Sequence, residues 1–194
     1  MVILMLEELK AYAKDNNIPI ILDDGIEFIE NYIKTHNIKT ILEIGTAIGY
    51  SSIRMALINS NIKITTIERN ELLYKEAIKN INKFNFNKQI NVIYDDAFNV
   101  QLKDKFDLIF IDSSKAQYIK IFEKFKGNLN DKGAIITDNL NFHGLVKDYD
   151  NIKSKDLRQL VGKIKNFISF LKNNKEFKTI FYDIGDGISI SERC

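Results

Sequence analysis

Two hydrophobic patterns alternate along the chain. Short runs rich in β-branched and aromatic residues predict strands, whereas apolar residues at every third or fourth position predict amphipathic helices. The predicted strands are Thr40–Ile44, Ile62–Glu68, Ile90–Tyr94, Phe106–Asp112, Ala134–Asp138, Lys178–Tyr182 and Gly187–Ser191. The predicted helices are Asp24–His36, Tyr50–Asn59, Asn70–Phe84, Lys115–Lys126 and a segment whose apolar stripe runs from Leu157 to Leu171.

The order of these elements predicts an α/β fold. The first five strands are nearly continuous apolar runs, which are typical of parallel strands that are buried on both faces. Only a few residues separate the last two strands, so we expect an antiparallel hairpin that turns at Gly185-Asp186-Gly187. A seven-stranded, mostly parallel sheet with helices on both faces and a C-terminal antiparallel hairpin resembles the Rossmann-like fold of class I S-adenosylmethionine-dependent methyltransferases.

Length and composition favour one globular domain. The chain has 194 residues, of which 45% are hydrophobic, and a chain of this size can bury one substantial core. The sequence contains no repeats, low-complexity tracts or linker-like stretches. We therefore expect a single methyltransferase domain over residues 1–194, with an N-terminal helical extension over about residues 1–36.

Charge and cysteine content restrict the cellular setting. The formal net charge is only +2, which neither requires nor excludes nucleic acid as a partner. The single cysteine, Cys194, allows no intramolecular disulfide, so a cytoplasmic location is expected. The pattern typical of a signal peptide and the apolar run of about 18 residues needed for a membrane span are both missing, so we expect no membrane partner.

A glycine-containing loop follows the first predicted strand. It reads Glu43-Ile44-Gly45-Thr46-Ala47-Ile48-Gly49-Tyr50-Ser51 and leads into a helix, whose free N–H groups are available to a ligand. The spacing Glu-x-Gly-x-x-x-Gly differs from the Gly-x-Gly-x-x-Gly of dinucleotide binders, and it favours a nucleoside with a charged amino-acid tail. The candidate cofactor-binding residues of this loop are Glu43, Gly45, Thr46, Gly49 and Ser51.

Acidic residues follow the next two strands. Glu68 ends the second strand, 23 residues after Gly45, and an acidic residue at about that distance accepts hydrogen bonds from ribose hydroxyls. The alternative for Glu68 is an acidic residue favoured by the dipole of the following helix. After the third strand, Asp96 is the preferred acceptor for an adenine amino group, with Asp95 as the alternative and Ala97 supplying the next amide.

Polar residues also follow the fourth and fifth strands. If these strands are neighbours, Asp112, Asp138 and Asn139 meet at one edge of the sheet, where two carboxylates and an amide oxygen suit Mg²⁺, Mn²⁺ or Ca²⁺. The alternatives are N-capping for Asp112 and an ordinary turn for the other two. Lys115 is close enough in sequence to act as a general base near a cation, and its alternative is an exposed helix lysine.

The motifs resemble those of the divalent-metal-dependent O-methyltransferases that include the catechol and caffeoyl-CoA enzymes. The resemblance extends from about Ile18 to Ser191 and rests on the segments Leu42–Ser51, Phe110–Tyr118 and Asp138–Leu140. It implies S-adenosylmethionine and Mg²⁺ (or Mn²⁺ or Ca²⁺) as cofactors, and a homodimer. It also implies the following roles: Asp112, Asp138 and Asn139 bind the metal, Lys115 and Asp112 are catalytic, Asp112 contacts the cofactor, and Glu68 binds the ribose.

Several stretches also resemble the bacterial branch of this family that methylates 5-hydroxyuridine at the tRNA wobble position. They include Tyr50–Ala56, Gln159–Val161 and Gly185–Ser191. This resemblance implies the tRNA anticodon loop as partner, with 5-methoxyuridine as product. The alternative substrate is a small catechol-like or caffeoyl-CoA-like phenol, which offers the same acidic hydroxyl beside a second oxygen. A non-catalytic module that binds cofactor or RNA is the third hypothesis. The basic residues expected near the site entrance are Lys147, Lys153, Lys155, Arg158, Lys163 and Lys165.

Overall fold

The computed structural model describes residues 2–194. The helices are α1 (Val2–Asp15), α2 (Asp23–Thr35), α3 (Tyr50–Ala56), α4 (Glu71–Lys83), α5 (Tyr118–Phe125) and α6 (Lys155–Lys172). The strands are β1 (Thr40–Ile44), β2 (Lys63–Glu68), β3 (Ile90–Tyr94), β4 (Phe106–Ile111), β5 (Leu129–Thr137), β6 (Phe177–Tyr182) and β7 (Ile188–Arg193). Short 3₁₀ turns precede α5, β5 and α6.

One seven-stranded sheet has the strand order β3-β2-β1-β4-β5-β7-β6. Strands β1 to β5 pair in parallel, and β7 lies antiparallel between β5 and β6. The order reverses between β2-β1 and β4-β5, which creates a crevice at the carboxyl ends of these strands. The predicted α/β fold with a C-terminal antiparallel hairpin is confirmed, as is the expectation that β4 and β5 are neighbours.

The sheet divides the hydrophobic core into two clusters. Along β4, Leu108 and Phe110 contribute to one cluster, and Ile109 and Ile111 to the other. Buried residues of α1 to α4 complete the first cluster, and those of α5 and α6 complete the second. Because both faces of the central strands are covered, these strands consist of apolar runs rather than alternating patterns.

Two elements begin three or more residues away from their predicted starts. Strand β5 begins at Leu129 rather than at Ala134 because Leu129 pairs with Phe106 across a register shift, although the intervening residues are polar or glycine. The helix predicted from Lys115 begins as a 3₁₀ turn, and α-helical geometry starts only at Tyr118. In both cases tertiary pairing or loop geometry overrides the local pattern.

Within residues 2–194, none of the helices combines the length and apolar character that a membrane span requires.

Candidate active site

A cavity of about 450 Å³ opens at the carboxyl ends of β1, β2, β3 and β4. Its wall also includes the segment between α1 and α2, from Pro19 to Leu22, which the sequence did not single out. Nine of the predicted site residues line it: Gly45, Thr46, Ser51, Glu68, Asp96, Ala97, Asp112, Lys115 and Asn139. The structure therefore brings the predicted cofactor loop and most of the predicted metal and base residues to one cavity.

Gly45 allows the first loop to approach the end of β4. Its φ is +106°, and a Cβ built at this position lies only 2.0 Å from the carbonyl oxygen of Asp112. Gly49 also has a positive φ, +84°, at the N-terminus of α3. These conformations are open to glycine at little cost and strained for other residues. At position 45 the loop can therefore turn against the end of β4 only with glycine, whereas at position 49 glycine relieves backbone strain alone.

Glu43 lies beneath the loop and does not line the cavity. Its fully buried carboxylate accepts hydrogen bonds from the hydroxyls of Ser51 at 2.5 Å and Thr66 at 2.6 Å, and from Ser52. Burial raises the pKa of Glu43 to about 7, although the three hydroxyls oppose the rise. This residue ties β1 to the start of α3, so the structure gives it a supporting position.

Glu68 is buried at the end of β2 and faces the cavity. One carboxylate oxygen accepts a hydrogen bond from the amide of Ala47 at 2.9 Å, and the other accepts one from the amide of Asn70 at 2.8 Å. The carboxylate thereby joins the glycine loop to the start of α4. Each oxygen retains a lone pair that is able to accept a ribose hydroxyl.

Asp95, Asp96 and Ala97 form the neighbouring wall after β3. Asp96 accepts a hydrogen bond from the amide of Phe98 at 2.9 Å, and its other oxygen lies 3.6 Å from Arg69. Asp95 accepts from the amide of Asp96 at 2.7 Å and from the side chain of Asn99. The Asp95 carboxylate thus stabilises the turn, while one Asp96 oxygen makes only the longer contact with Arg69.

Two acidic side chains and an amide surround Lys115. The Nζ atom of Lys115 lies 2.5 Å from the Oδ1 of Asn139 and 3.5 Å from the Oδ1 of Asp112. Asp138 is 2% exposed, does not line the cavity, and its Oδ1 has no hydrogen-bond partner. Burial, followed by the charge of Asp112, raises the pKa of Asp138 to about 7. Burial also raises the pKa of Asp112, although Lys115 opposes the rise.

This oxygen set fits a hard divalent cation. The Oδ1 atom of Asp138 has no hydrogen-bond partner, and the pKa values of Asp112 and Asp138 are both raised. The surrounding protein therefore balances the negative charge of these two carboxylates only in part. Carboxylate and amide oxygens are the ligands that Mg²⁺, Mn²⁺ and Ca²⁺ prefer. Within residues 2–194 no group of three His, Cys, Asp or Glu side chains is placed to hold a metal ion; the candidate oxygen set is two carboxylates and the amide of Asn139.

Sequence reasoning missed several residues on the cavity wall. The most informative is Asp186, which the sequence identified only as part of a hairpin turn, and Phe142 and His143 lie nearby. The available signal in the sequence was a carboxylate between two glycines, at the turn before the last predicted strand.

None of the six basic residues expected at the entrance lines the cavity. Lys147 is paired with Asp183 at 3.1 Å, and the cationic groups of Arg158 and Lys165 lie over the ring of Tyr149.

The strand order and the cavity at the strand ends define the class I S-adenosylmethionine-dependent methyltransferase fold. Residues 3–194 match the family model described as O-methyltransferase. The chain therefore belongs to the O-methyltransferase family, of the caffeoyl-CoA type.

Individual relatives cover nearly the whole chain. The caffeoyl-CoA O-methyltransferase of Populus kitakamiensis is 28% identical over 193 residues, which cover 95% of this chain and 82% of that enzyme. A Staphylococcus aureus protein, provisionally named a caffeoyl-CoA O-methyltransferase, has a crystal structure with 38% identity and a TM-score of 0.92, covering 97% of this chain and 92% of that one. The O-methyltransferase of Bacillus cereus in complex with S-adenosylhomocysteine is 25% identical, with a TM-score of 0.83 and coverage of 98% and 90%.

Proposed function

We propose that the protein transfers a methyl group from S-adenosylmethionine to a hydroxyl oxygen that a divalent cation holds in the cavity. The observation that carries the proposal is the placement of Asp112, Asn139 and Lys115 on the wall of the cavity that the glycine loop also lines, with the buried Asp138 directly before Asn139. Methyl transfer from a sulfonium needs a deprotonated oxygen aligned with the methyl group. One cavity thus holds the groups for binding the donor and for preparing the acceptor.

The cofactor site consists of the three walls already described. Glu68 is assigned to the ribose hydroxyls, the loop from Gly45 to Ser51 to the amino-acid tail, and Asp96 with the Ala97 amide to the adenine. Support comes from the position of all three on the cavity wall and from the S-adenosylhomocysteine held by the Bacillus cereus relative.

The metal site consists of Asp112, Asp138 and Asn139. A divalent cation bound there would lower the pKa of the hydroxyl to be methylated and hold that hydroxyl in a fixed position. Lys115 lies within hydrogen-bond distance of Asn139 in this ligand set, and we assign its side chain as the general base for the hydroxyl. Asp112 lines the cavity, so it serves both the metal and the cofactor side of the site.

For the substrate we propose the 5-hydroxyl of 5-hydroxyuridine at the wobble position of tRNA. Exposed basic side chains without carboxylate partners in the structure, among them Lys153, Lys155 and Lys163, lie on and before α6, where they are available to phosphates. A small catechol-like or caffeoyl-CoA-like phenol is the second candidate, favoured by the activity named for the Populus relative. Both substrates offer an acidic hydroxyl beside a second oxygen that binds a metal.

Methyl transfer from radiolabelled S-adenosylmethionine tests the proposal and separates the substrates. The acceptors are unmethylated tRNA that carries 5-hydroxyuridine, the same tRNA without the hydroxyl, and a simple catechol, each with Mg²⁺ or with EDTA. We expect chelator-sensitive label only in the hydroxylated tRNA. Label in the catechol alone moves the protein to small-molecule metabolism, and no label in any acceptor contradicts the catalytic proposal.

The proposed assembly is a homodimer. Size-exclusion chromatography with light scattering measures the mass directly. A mass near the 22.5 kDa of a single chain contradicts this part of the proposal.

A further inference from the structure

Asp186 contacts two parts of the site from the turn between β6 and β7. Its side chain is only 6% exposed. The Oδ1 atom accepts a hydrogen bond from the backbone amide of His143 at 2.6 Å, and the Oδ2 atom accepts one from the Nδ2 of Asn139 at 3.4 Å. Asp186 is therefore a buried carboxylate that touches both a proposed metal ligand and the following loop.

The contacts of Asn139 permit only one orientation of its amide. The ammonium of Lys115 has donors only, so it requires the amide oxygen on its side, at 2.5 Å. The carboxylate of Asp186 offers only acceptors, so it requires the amide nitrogen on the other side. Asp186 thereby directs the oxygen of Asn139 toward Asp112 and Lys115.

The same carboxylate holds a strained loop against the site. Asn139, Phe142 and His143 have φ values of 61°, 46° and 56°, a conformation that is especially unfavourable for a bulky residue such as phenylalanine. Strain of this kind persists only where the surroundings impose it. Here the hydrogen bond from the His143 amide to Asp186 and another from the Asn141 amide to the Asp186 carbonyl oxygen, at 2.7 Å, impose it.

The hairpin turn also approaches this loop so closely that only glycine fits at position 187. A Cβ built on Gly187 lies 2.7 Å from the backbone nitrogen of Asn141, and the Leu140 amide donates to the Gly187 carbonyl oxygen at 2.9 Å. The turn between β6 and β7 therefore packs directly against the backbone that carries Asn139.

We propose that Asp186 is a positioning residue that aims the amide oxygen of Asn139 into the metal site and fixes the loop from Asn139 to Gly144 beside it. The inference rests on the metal dependence proposed above. It goes further by assigning a role to a residue outside the proposed ligand set. It predicts that metal affinity depends on Asp186 through the orientation of one amide, rather than through the stability of the fold.

The test measures Mn²⁺ binding in the presence of S-adenosylhomocysteine. Electron paramagnetic resonance detects the Mn²⁺ that remains free in solution. In Asp186→Asn the side chain keeps one acceptor oxygen, which the shorter hydrogen bond from the His143 amide occupies, so its NH₂ group faces the NH₂ group of Asn139 and Asn139 turns its oxygen away from the metal site. We expect the Kd for Mn²⁺ to rise about 10- to 100-fold, the usual effect of removing a partner of a metal ligand. The matched control is Asp183→Asn in the same hairpin region, because Asp183 is exposed, its polar partners are the side chains of Asn141 and Lys147, and asparagine keeps an oxygen that accepts the Asn141 amide. We expect its Kd to stay within twofold of wild type.

A double-mutant cycle separates aiming from simple structural support. In Asn139→Asp the ligand is a carboxylate, which presents an oxygen in either orientation and accepts a hydrogen bond from Asn at position 186. Because Asn139→Asp by itself sets a carboxylate against that of Asp186, the cost of Asp186→Asn in Mn²⁺ affinity should vanish or become a gain in the Asn139→Asp background. The inference is overturned if Asp186→Asn weakens Mn²⁺ binding equally in wild type and in Asn139→Asp, or if Asp186→Asn alone binds Mn²⁺ as tightly as wild type. Either result leaves the proposed metal site intact. If wild type itself binds no Mn²⁺, the proposed metal dependence is wrong and the inference falls with it.

Discussion

The ammonium of Lys115 donates a hydrogen bond of 2.5 Å to the amide oxygen of Asn139. This oxygen is one of the proposed metal ligands, so Lys115 and the cation share a partner and repel one another. The lysine is 20% exposed and also lies 3.5 Å from Asp112. Removing the charge of Lys115 is therefore expected to strengthen metal binding and to slow methyl transfer.

The substitution Lys115→Met keeps the length of the side chain and removes its amine. We expect tighter Mn²⁺ binding by a few-fold, because a neighbouring positive charge is lost, together with a fall in kcat of about 10² to 10⁴, the usual contribution of a general base. Mn²⁺ titration and single-turnover methyl transfer measure the two effects. Retention of kcat within a few-fold of wild type shows that Lys115 is not the base.

Glu68→Gln tests the ribose-binding wall. Both carboxylate oxygens accept backbone amides, so the new NH₂ group opposes one of these donors and the charge is lost. Hydrogen bonds to charged groups contribute about 1.5–3 kcal/mol, and we expect the Kd for S-adenosylhomocysteine to rise at least tenfold in calorimetric titration.

The control for this variant is Glu71→Gln. Glu71 is exposed on α4 and contacts only Lys75, so its substitution should leave the Kd unchanged. Equal affinities of the two variants contradict the assignment of Glu68 to the cofactor.

Gly45→Ala tests the close approach of the first loop to β4. The added Cβ lies 2.0 Å from the Asp112 carbonyl oxygen at a φ of +106°, so the backbone must move and the free energy of unfolding should fall by about 2–4 kcal/mol. S-adenosylhomocysteine binding should be lost as well.

Gly127→Ala provides the comparison for a glycine with room around it. A Cβ at Gly127 meets nothing within 4 Å, so its effect should stay within about 0.5 kcal/mol. Urea denaturation measures both variants. Similar stabilities of the two variants contradict the steric explanation for Gly45.

The raised pKa of Glu43 should make the free energy of unfolding depend on pH. Its pKa is raised from an ordinary value of 4.5 to about 7 in the folded protein, so between these pH values the folded state holds a proton that the unfolded state has released. The free energy of unfolding contributed by this group therefore falls as the pH rises, by about 3 kcal/mol in total. Glu43→Gln cannot titrate. The difference in unfolding free energy between wild type and this variant should decline from pH 5 to pH 8, and a constant difference contradicts the assignment.

The fold could be predicted closely because its determinants are local. The apolar runs of β1, β2 and β4 are mostly buried, and β3 keeps its predicted bounds although it lies at the sheet edge and is only partly buried, so sequence and structure agree there to within a residue or so. The start of β5 at Leu129 could not be predicted, because its polar residues adopt strand geometry only through pairing with β4. The first helix, Val2–Asp15, lay within the helical extension expected over about residues 1–36 but had no bounds of its own.

Much of the cavity wall was predictable because its residues lie at the carboxyl ends of strands. Gly45, Glu68, Asp96 and Asp112 all follow or end such strands, and all line the cavity. Glu43 shows the limit of this reasoning, since it belongs to the same motif yet lies in the supporting layer beneath the loop. Sequence position alone does not distinguish a side chain that faces the ligand from one that faces the core.

The sequence by itself determined the order of strands and helices along the chain, the glycine loop and the identity of the polar residues that follow β4 and β5, because each is recorded in residues close together in the chain. Only the tertiary structure decided which side chains share a partner. Lys115 and Asn139 meet because β4 and β5 are neighbours, and Asp186 reaches Asn139 because β7 inserts between β5 and β6. The long-range pairing of strands fixes such contacts, and no local pattern records it.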